Sequence, residues 1–137
     1  FWNRPVASVE AFVDGWFRTG DIAEIDEEGF VFIKDRIKDM IISGGENIYP
    51  AEIENVIIGH PAVGEVAVIG LPDEKWGEIA CAVVVAPAEQ VSEEEIIQWF
   101  ADKLSRYKLP KKVAYTDVLP RNPAGKVLKR LLREEYG

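Results

Sequence analysis

Residue types that hold metals or form disulfides are nearly missing from this chain of 137 residues, which contains one cysteine, Cys81, and one histidine, His60. A single cysteine excludes an internal disulfide and fits a reducing, cytosolic setting. One Cys with one His argues against a zinc site, and we predict no metal-binding residue. Because no nucleophile pattern surrounds His60, the prediction for it is a structural role at a helix end.

Long hydrophobic runs are missing as well. No apolar segment approaches the roughly 20 residues that a membrane-spanning helix needs. The first five residues, FWNRP, do not form a charged-then-apolar signal segment. We therefore expect no transmembrane segment. The chain starts without an initiator methionine, and from this we expect it to be a fragment of a longer protein.

Positive charge is scarce until the last quarter of the sequence. Residues 1–100 contain 6 Lys/Arg and 20 Asp/Glu, a net charge of −14, whereas residues 101–137 contain 10 and 4, a net charge of +6. The acidic bulk argues against binding of a nucleic-acid duplex. The basic end suits a small phosphorylated ligand, with a solvated basic face as the alternative.

Short apolar segments between turn signals predict several strands. Residues 22–26 and 30–34 flank the hairpin signal EEG at 27–29, and residues 40–42 predict a third strand before a glycine-rich loop over 43–47. Further strands are predicted over 65–71, 78–86 and 112–118. Residues 1–20 are turn-rich and aromatic, and no regular element is predicted there.

Three helices are predicted among these strands. The first starts at Pro50 and ends near Gly59. The second starts with a capping box and has an apolar face, and the third has an apolar stripe over 127–132. The residues of the second helix that carry these signals are Ser92, Glu95, Ile96, Ile97, Phe100 and Leu104. The order of elements predicts an α+β fold with a mixed sheet and flanking helices.

Two polar segments in the first half are poorly explained by core packing. Residues 16–21, WFRTGD, end in an aspartate after a glycine turn. That carboxylate can accept hydrogen bonds from a ribose diol, although a capped turn is the alternative. Residues 34–39, KDRIKD, precede the paired glycines Gly44 and Gly45, where a ligand can approach the backbone closely. Neither the P-loop pattern nor the dinucleotide fingerprint is present.

A third segment, residues 120–126, has the sequence PRNPAGK. A lysine on a loop shaped by proline and glycine has a defined position, and its ammonium suits carboxylate and phosphate oxygens. A surface lysine beside a helix is the alternative. In the loop over 72–77, packing within the loop is the prediction for Trp76, with an interface role as the alternative.

In this order and spacing, the three segments resemble those of the adenylate-forming superfamily, which includes acyl- and aryl-CoA synthetases, peptide-synthetase adenylation domains and beetle luciferases. The resemblance covers the whole chain. Residues 41–50, IISGGENIYP, and residues 120–126 are most similar to the CoA ligase branch, and within it to actinobacterial fatty-acyl-CoA ligases. Many relatives have Thr or Ser where this chain has Asn122 and Pro123, which keep the loop turn-forming.

The resemblance implies an ATP-dependent acid–thiol ligase that activates a fatty acid as acyl-adenylate and transfers it to CoA. Residues 1–37, a β hairpin, would end a large N-terminal adenylation domain, and residues 38–137 would form the small mobile C-terminal domain. The phosphate loop and the acyl pocket would lie in the missing N-terminal domain, so the fragment alone is expected to be inactive. Mg²⁺ is expected for the full enzyme, which we expect in the cytoplasm, with peripheral membrane association left open.

The resemblance also implies roles for individual residues. Lys38 would be the hinge between the domains, at a position where the family has Asp or Lys. The other implied roles are ribose binding by Asp21 and Arg36, contact with the pantetheine arm of CoA by Gly44 and Gly45, and catalysis of the first half-reaction by Lys126.

Two further functions stay open at this point. One is an adenylation domain that loads a carrier protein, because thioester partners of both kinds would use the same tunnel. The other is a stand-alone, non-catalytic binding module. The partial motif over residues 16–21 argues against the second, since a natural module would not begin inside another domain.

Overall fold

The computed structural model describes residues 3–86 and 91–137. The chain divides into two compact units, Phe1–Lys38 and Asp39–Gly137. We refer to them as unit 1 and unit 2 and describe each by itself. The first two residues of the predicted turn-rich segment lie outside the described part of the chain.

Unit 1 consists of one short helix and two antiparallel strand pairs. Helix α1 (Pro5–Ala11) precedes the ribbon β1 (Phe12–Val13) and β2 (Trp16–Phe17), and the hairpin β3 (Asp21–Ile25) and β4 (Val31–Arg36) follows. The hairpin confirms the prediction around residues 27–29. Helix α1, which occupies seven residues of the segment expected to be turn-rich, was not predicted. None of the seven is buried, so α1 has no apolar face that a periodic pattern could indicate.

The side chain of Asp26 closes the turn between β3 and β4. Its Oδ1 accepts hydrogen bonds from the backbone N–H groups of Glu28 and Phe30 at 3.0 and 2.9 Å. Gly29 has φ +87°, a conformation that glycine adopts without steric cost. The turn therefore forms from local side-chain and backbone chemistry alone.

Unit 1 has almost no interior. No side chain between residues 3 and 38 is buried in the described structure. Several large apolar side chains are exposed instead, among them Trp16 at 80%, Val9 at 74% and Ile33 at 65%. Exposed apolar surface of this kind marks a face that other protein normally covers.

Unit 2 is built on one mixed, five-stranded sheet. Its strands are β5 (Ile41–Ser43), β6 (Glu46–Ile48), β7 (Glu65–Asp73), β8 (Gly77–Val85) and β9 (Lys112–Tyr115). The spatial order is β6-β5-β8-β7, and β9 pairs with β8 in parallel, whereas the other pairs are antiparallel. Nine residue pairs join β7 and β8, from Glu65 with Val85 to Asp73 with Gly77.

Helices cover both faces of this sheet. The helices of unit 2 are α2 (Pro50–Ile57), α3 (Glu93–Ala101) and α4 (Lys129–Tyr136). Val68 packs with residues of α2 and α3, whereas its neighbours Ala67 and Ile69 pack with Leu132 of α4, because successive side chains of a strand point to opposite faces. The predicted α+β class is confirmed. Among the described residues, no helix is long and apolar enough to cross a bilayer.

Several elements differ from the predictions. The residues predicted as a loop after the third strand contain a further strand, β6, because Gly44 and Gly45 form a two-residue turn between paired strands. The last helix starts at Lys129 instead of residue 127, since Val127 pairs with Arg121 in an isolated bridge. Helix α3 ends before Leu104, and β9 ends at Tyr115 instead of residue 118.

The capping box at the start of α3 is present as predicted. The Ser92 side chain accepts from the Glu95 N–H at 3.2 Å, and the Glu95 carboxylate accepts from the Ser92 N–H at 2.9 Å. Two backbone donors at the helix start are thereby satisfied.

Replacement of Ser92 by Ala should lower the free energy of unfolding by about 1 kcal/mol, because one helix-end donor loses its acceptor. Urea denaturation followed by circular dichroism measures the change. Ser105→Ala is the matched control, since Ser105 precedes the 3₁₀ helix Arg106–Lys108 without a side-chain capping bond. Equal losses in the two variants would contradict the proposed contribution of the cap.

Candidate functional site

Asp21 and Arg36, both predicted to contact a ribose, are neighbours in unit 1. They face each other across the first register pair of β3 and β4, and Nη1 of Arg36 lies 2.7 Å from Oδ1 of Asp21. Backbone geometry brings them together, because Gly20, with φ +76°, turns the chain into β3. A carboxylate and a guanidinium side by side can accept from and donate to the hydroxyls of a sugar.

A cleft of about 630 Å³ opens beside this pair within unit 1. Both charged side chains line it, and so does Lys38, the predicted hinge. The other lining residues are Glu10, Ala11, Phe17, Arg18, Thr19, Gly20 and Ile37. The cleft thus combines a polar pair with apolar and cationic neighbours, a composition that suits one part of a nucleotide.

Lys38 is the last residue of unit 1 and lies in the middle of a 3₁₀ helix, Ile37–Asp39. Its neighbour Asp39, the first residue of unit 2, is buried to 8% exposure and accepts from Arg133 Nη2 of α4 at 3.0 Å. Since a removed partner would leave a buried charge unpaired, this contact holds Asp39 firmly in unit 2. Lys38 itself is exposed.

Gly44 and Gly45, the predicted pantetheine contacts, differ in their surroundings. Both have positive φ, +58° and +84°, in the turn between β5 and β6. A Cβ on Gly44 would lie 2.8 Å from Cε3 of Trp76, whereas a Cβ on Gly45 would meet nothing within 4 Å. Gly44 therefore allows close packing of an indole ring, and Gly45 leaves open space beside the backbone.

A second cavity, of about 560 Å³, lies in unit 2 next to this turn. Gly44, Trp76, Arg106, Tyr107 and Lys111 line it together with Ser43 and Glu46. The Lys111 ammonium lies 4.4 Å from the Trp76 ring centroid, within the range of a cation–π contact. Two cations and two aromatic rings suit a ligand that has both phosphates and flat rings.

The sequence did not single out three of these residues. Arg106, Tyr107 and Lys111 belong to the basic end of the chain, whose charge alone suggested a phosphorylated ligand. Their position beside the Gly44 turn depends on tertiary structure. The 3₁₀ helix over 106–108 and the segment after it pack near the start of β8, where the Lys111 N–H donates to the Ala80 carbonyl. The Trp76 ring contacts Lys75 of its own loop and also lines the cavity.

Lys126 lies on a closed loop between β9 and α4. In two backbone hydrogen bonds, the Asn122 N–H donates to the Lys126 carbonyl at 2.9 Å and the Leu128 N–H donates to the Pro120 carbonyl at 2.8 Å. The Asn122 side chain also accepts from the Lys126 N–H at 2.9 Å. The loop therefore presents an exposed ammonium on a well-connected backbone.

The Gly44 turn and the Lys126 loop contact opposite ends of the same hairpin. Gly44 donates to the Trp76 carbonyl at 2.8 Å, in the turn between β7 and β8. Arg121, in the Lys126 loop, pairs with Glu65, the first residue of β7. The two candidate elements of unit 2 are thus held apart by the length of the β7–β8 hairpin, whose two strands have nine residues each.

His60 and Cys81 lie outside these elements. His60 accepts from the Ala62 N–H through Nδ1 at 3.2 Å and stacks edge-on against Trp99, which supports the predicted structural role. Burial raises the pKa of the Cys81 thiol to about 11, so that a nucleophilic thiolate is disfavoured at neutral pH. Within residues 3–86 and 91–137, no group of three or more His, Cys, Asp or Glu side chains could hold a metal ion.

The chain belongs to the family described as "AMP-binding enzyme C-terminal domain", which matches residues 52–126. Among its relatives, it is 67% identical over 136 residues to the long-chain-fatty-acid–CoA ligase FadD13 of Mycobacterium tuberculosis. It is 50% identical over 137 residues to the fatty acid–[acyl-carrier-protein] ligase ScoC of Streptomyces coeruleorubidus. These alignments cover 99% of this chain but only 27% and 26% of the relatives.

A solved structure of similar fold is that of o-succinylbenzoate CoA synthetase from Bacillus subtilis in complex with its acyl-adenylate intermediate. Its TM-score is 0.90 at 45% sequence identity, over 96% of this chain and 27% of that one. The chain therefore spans about a quarter of the length of the relatives that it matches. The predicted membership of the adenylate-forming superfamily, as its C-terminal domain, is confirmed.

The two glycines of the β5–β6 turn should respond differently to Ala. Gly45→Ala should destabilise by about 1 kcal/mol through its backbone conformation alone. Gly44→Ala should cost about 1–3 kcal/mol more, because the new methyl group overlaps the Trp76 ring. Unfolding free energies of the two variants, repeated with Trp76→Leu, measure the difference. If the difference between them persists without the indole ring, Trp76 is not its cause.

Proposed function

We propose that this chain is the C-terminal part of an ATP-dependent acyl-CoA ligase that activates a fatty acid as acyl-adenylate and transfers the acyl group to CoA. The observation that carries the proposal is the 67% identity to FadD13 over nearly the whole chain. In the first half-reaction, the acid carboxylate attacks the α-phosphorus of ATP and displaces pyrophosphate. In the second, the CoA sulfur attacks the acyl carbon and displaces AMP.

Lys126 acts in the first half-reaction. Attack of a carboxylate on the α-phosphate brings two anions together and builds charge on the equatorial phosphate oxygens. A cation in a fixed position offsets both effects. The closed loop over 120–128 supports this role, because the backbone that carries the lysine needs little ordering before the reaction.

Asp21 and Arg36 bind the ribose of the nucleotide. Their contact at 2.7 Å orients the carboxylate toward the cleft, where the two vicinal hydroxyls donate to it. The pair lies in unit 1.

Residues 1–37 belong to a large N-terminal domain. The exposed apolar side chains of unit 1 support this assignment, because they suit burial against the rest of such a domain.

Gly44 and Gly45 contact the pantetheine arm of CoA in the second half-reaction. The open space beside Gly45 suits a thin chain that passes along the backbone. The adjacent cavity fits the other end of the molecule, with Arg106 and Lys111 toward phosphates and Trp76 or Tyr107 toward the adenine ring. CoA is therefore the thiol that the unit 2 surface suits best.

Lys38 is the hinge about which the domain of residues 38–137 turns between the half-reactions. Support comes from the division of the chain into compact units after this residue and from the ion pair that holds Asp39. A hinge needs a residue that absorbs a change in φ and ψ while its neighbours move as rigid bodies. The full enzyme is expected to need Mg²⁺, held outside this chain, and to work in the cytoplasm.

A carrier-protein ligase is the second candidate, and the 50% identity to ScoC favours it. The full-length enzyme, assayed with fatty acid, ATP and either free CoA or a holo carrier protein, distinguishes the two. Mass spectrometry of the thioester product should find acyl-CoA, with little acylated carrier protein. If the product is mainly acylated carrier protein, the carrier protein and not CoA is the acceptor. Absence of both thioester and acyl-adenylate would refute the ligase proposal.

Lys126→Ala should raise the barrier of acyl-adenylate formation in the full-length ligase by about 2–4 kcal/mol, since a preorganised charge is lost. Thioester formation from a supplied acyl-adenylate should change much less. Pyrophosphate release and single-turnover thioester assays measure the two steps. Lys129→Ala is the control for a general effect of losing one positive charge. Equal loss of both steps in Lys126→Ala would refute the assignment.

Gly45→Leu should spare adenylation and abolish most thioester formation, because a branched side chain fills the space proposed for the pantetheine arm. Pyrophosphate exchange and acyl-CoA output measure the two effects. Gly29→Leu is the matched control, since Gly29 has a similar φ of +87° and equally open surroundings in the β3–β4 turn. If Gly45→Leu reduces exchange as much as thioester output, the turn is only structural.

A further inference from the structure

Arg121 connects the Lys126 loop to the sheet of unit 2. Its Nη1 donates to the Gly125 carbonyl at 2.7 Å, and its Nη2 pairs with the carboxylate of Glu65 at the start of β7. One guanidinium therefore joins the peptide group that precedes Lys126 to a strand of the central hairpin. Arginine can form such a double contact because its planar guanidinium has several N–H donors, whereas the lysine ammonium is a single compact charge.

This ion pair contributes little to the stability of the fold. The side chains of Arg121 and Glu65 are 40% and 43% exposed, and ion pairs with such exposure are screened by solvent. A role in stability therefore does not explain why the guanidinium reaches back to a loop carbonyl. Its geometric effect is specific, because the carbonyl that it holds belongs to the peptide group between Gly125 and Lys126.

The Lys126 side chain depends on its backbone for its position. Within the described part of the chain, its ammonium has no hydrogen-bond or ion-pair partner. Asn122 holds the Lys126 N–H from one side, and Arg121 holds the Gly125 carbonyl from the other. Gly125 itself, at φ +84° with open surroundings, offers little steric resistance to movement.

We propose that Arg121, anchored on Glu65, is a positioning residue for Lys126 in the adenylation half-reaction. It acts by fixing the peptide group before Lys126 relative to β7. The inference rests on the proposed function, since it assigns a task only if Lys126 is catalytic. A displacement of about 1 Å at a reacting group costs up to about 100-fold in rate, so loss of this contact has a measurable effect.

The test uses Arg121→Ala in the full-length ligase. The kcat of acyl-adenylate formation should fall about 10- to 100-fold, with the KM for ATP nearly unchanged. Thioester formation from a supplied acyl-adenylate should stay near the unmodified rate. Arg130→Ala is the matched control, because Arg130 forms an exposed ion pair with Glu134 within α4, and it should leave both steps unchanged.

Two further variants separate positioning from general damage. Glu65→Gln should lower adenylation in the same direction but less, since the Gly125 contact of Arg121 remains. In a Lys126→Ala background, Arg121→Ala should have no additional effect, because its action passes through the lysine. Hydrogen exchange of the Lys126 amide should become faster in Arg121→Ala while exchange in β7 and β8 does not change.

The outcomes distinguish this inference from the function on which it rests. If Lys126→Ala leaves adenylation intact, the proposed role of Lys126 fails, and with it the need for positioning. If Lys126→Ala abolishes adenylation but Arg121→Ala does not lower it, the inference alone is refuted. It is also refuted if Arg121→Ala lowers adenylation further in the Lys126→Ala background, or lowers both half-reactions equally.

Discussion

The hairpin of β7 and β8 is the constraint on which the rest of unit 2 depends. Its nine registered pairs form the longest ladder of the sheet, and β5 and β9 both attach to the free edge of β8. Residues 80–84 of β8 are at most 1% exposed, because helices pack on both faces. A one-residue shift of such a strand would exchange the side chains that pack in its two apolar layers, so its register is fixed and the hairpin is a rigid platform for every loop attached to it.

The same hairpin separates the two elements to which we assign different half-reactions. The Gly44 turn contacts its turn end through Trp76, and the Lys126 loop contacts its open end through Glu65. Two nine-residue strands separate these ends by about 27 Å, at 3.4 Å per residue. Because a rigid hairpin cannot bring both ends to one reacting centre, the proposed roles of the two elements require the proposed hinge.

Local chemistry made individual turns and caps of the structure predictable. Positive φ at Gly44 and Gly45, the capping box of Ser92 and the turn around Gly29 each depend on neighbours in sequence. By contrast, β6 was missed because a three-residue strand has too few positions to display a period. Helix α1 was missed because it buries nothing, so its residues have no apolar stripe.

The sequence by itself determined the residue types: a lysine on a proline- and glycine-shaped loop, paired glycines, and an aspartate and an arginine, Asp21 and Arg36, on either side of a predicted hairpin. Only the tertiary structure decided which distant residues join them. Trp76, Arg106 and Lys111 surround one cavity, and Glu65 reaches Arg121 across 56 positions of the chain. The physical reason is that side-chain pairing across a sheet depends on strand order and register, which no local pattern encodes.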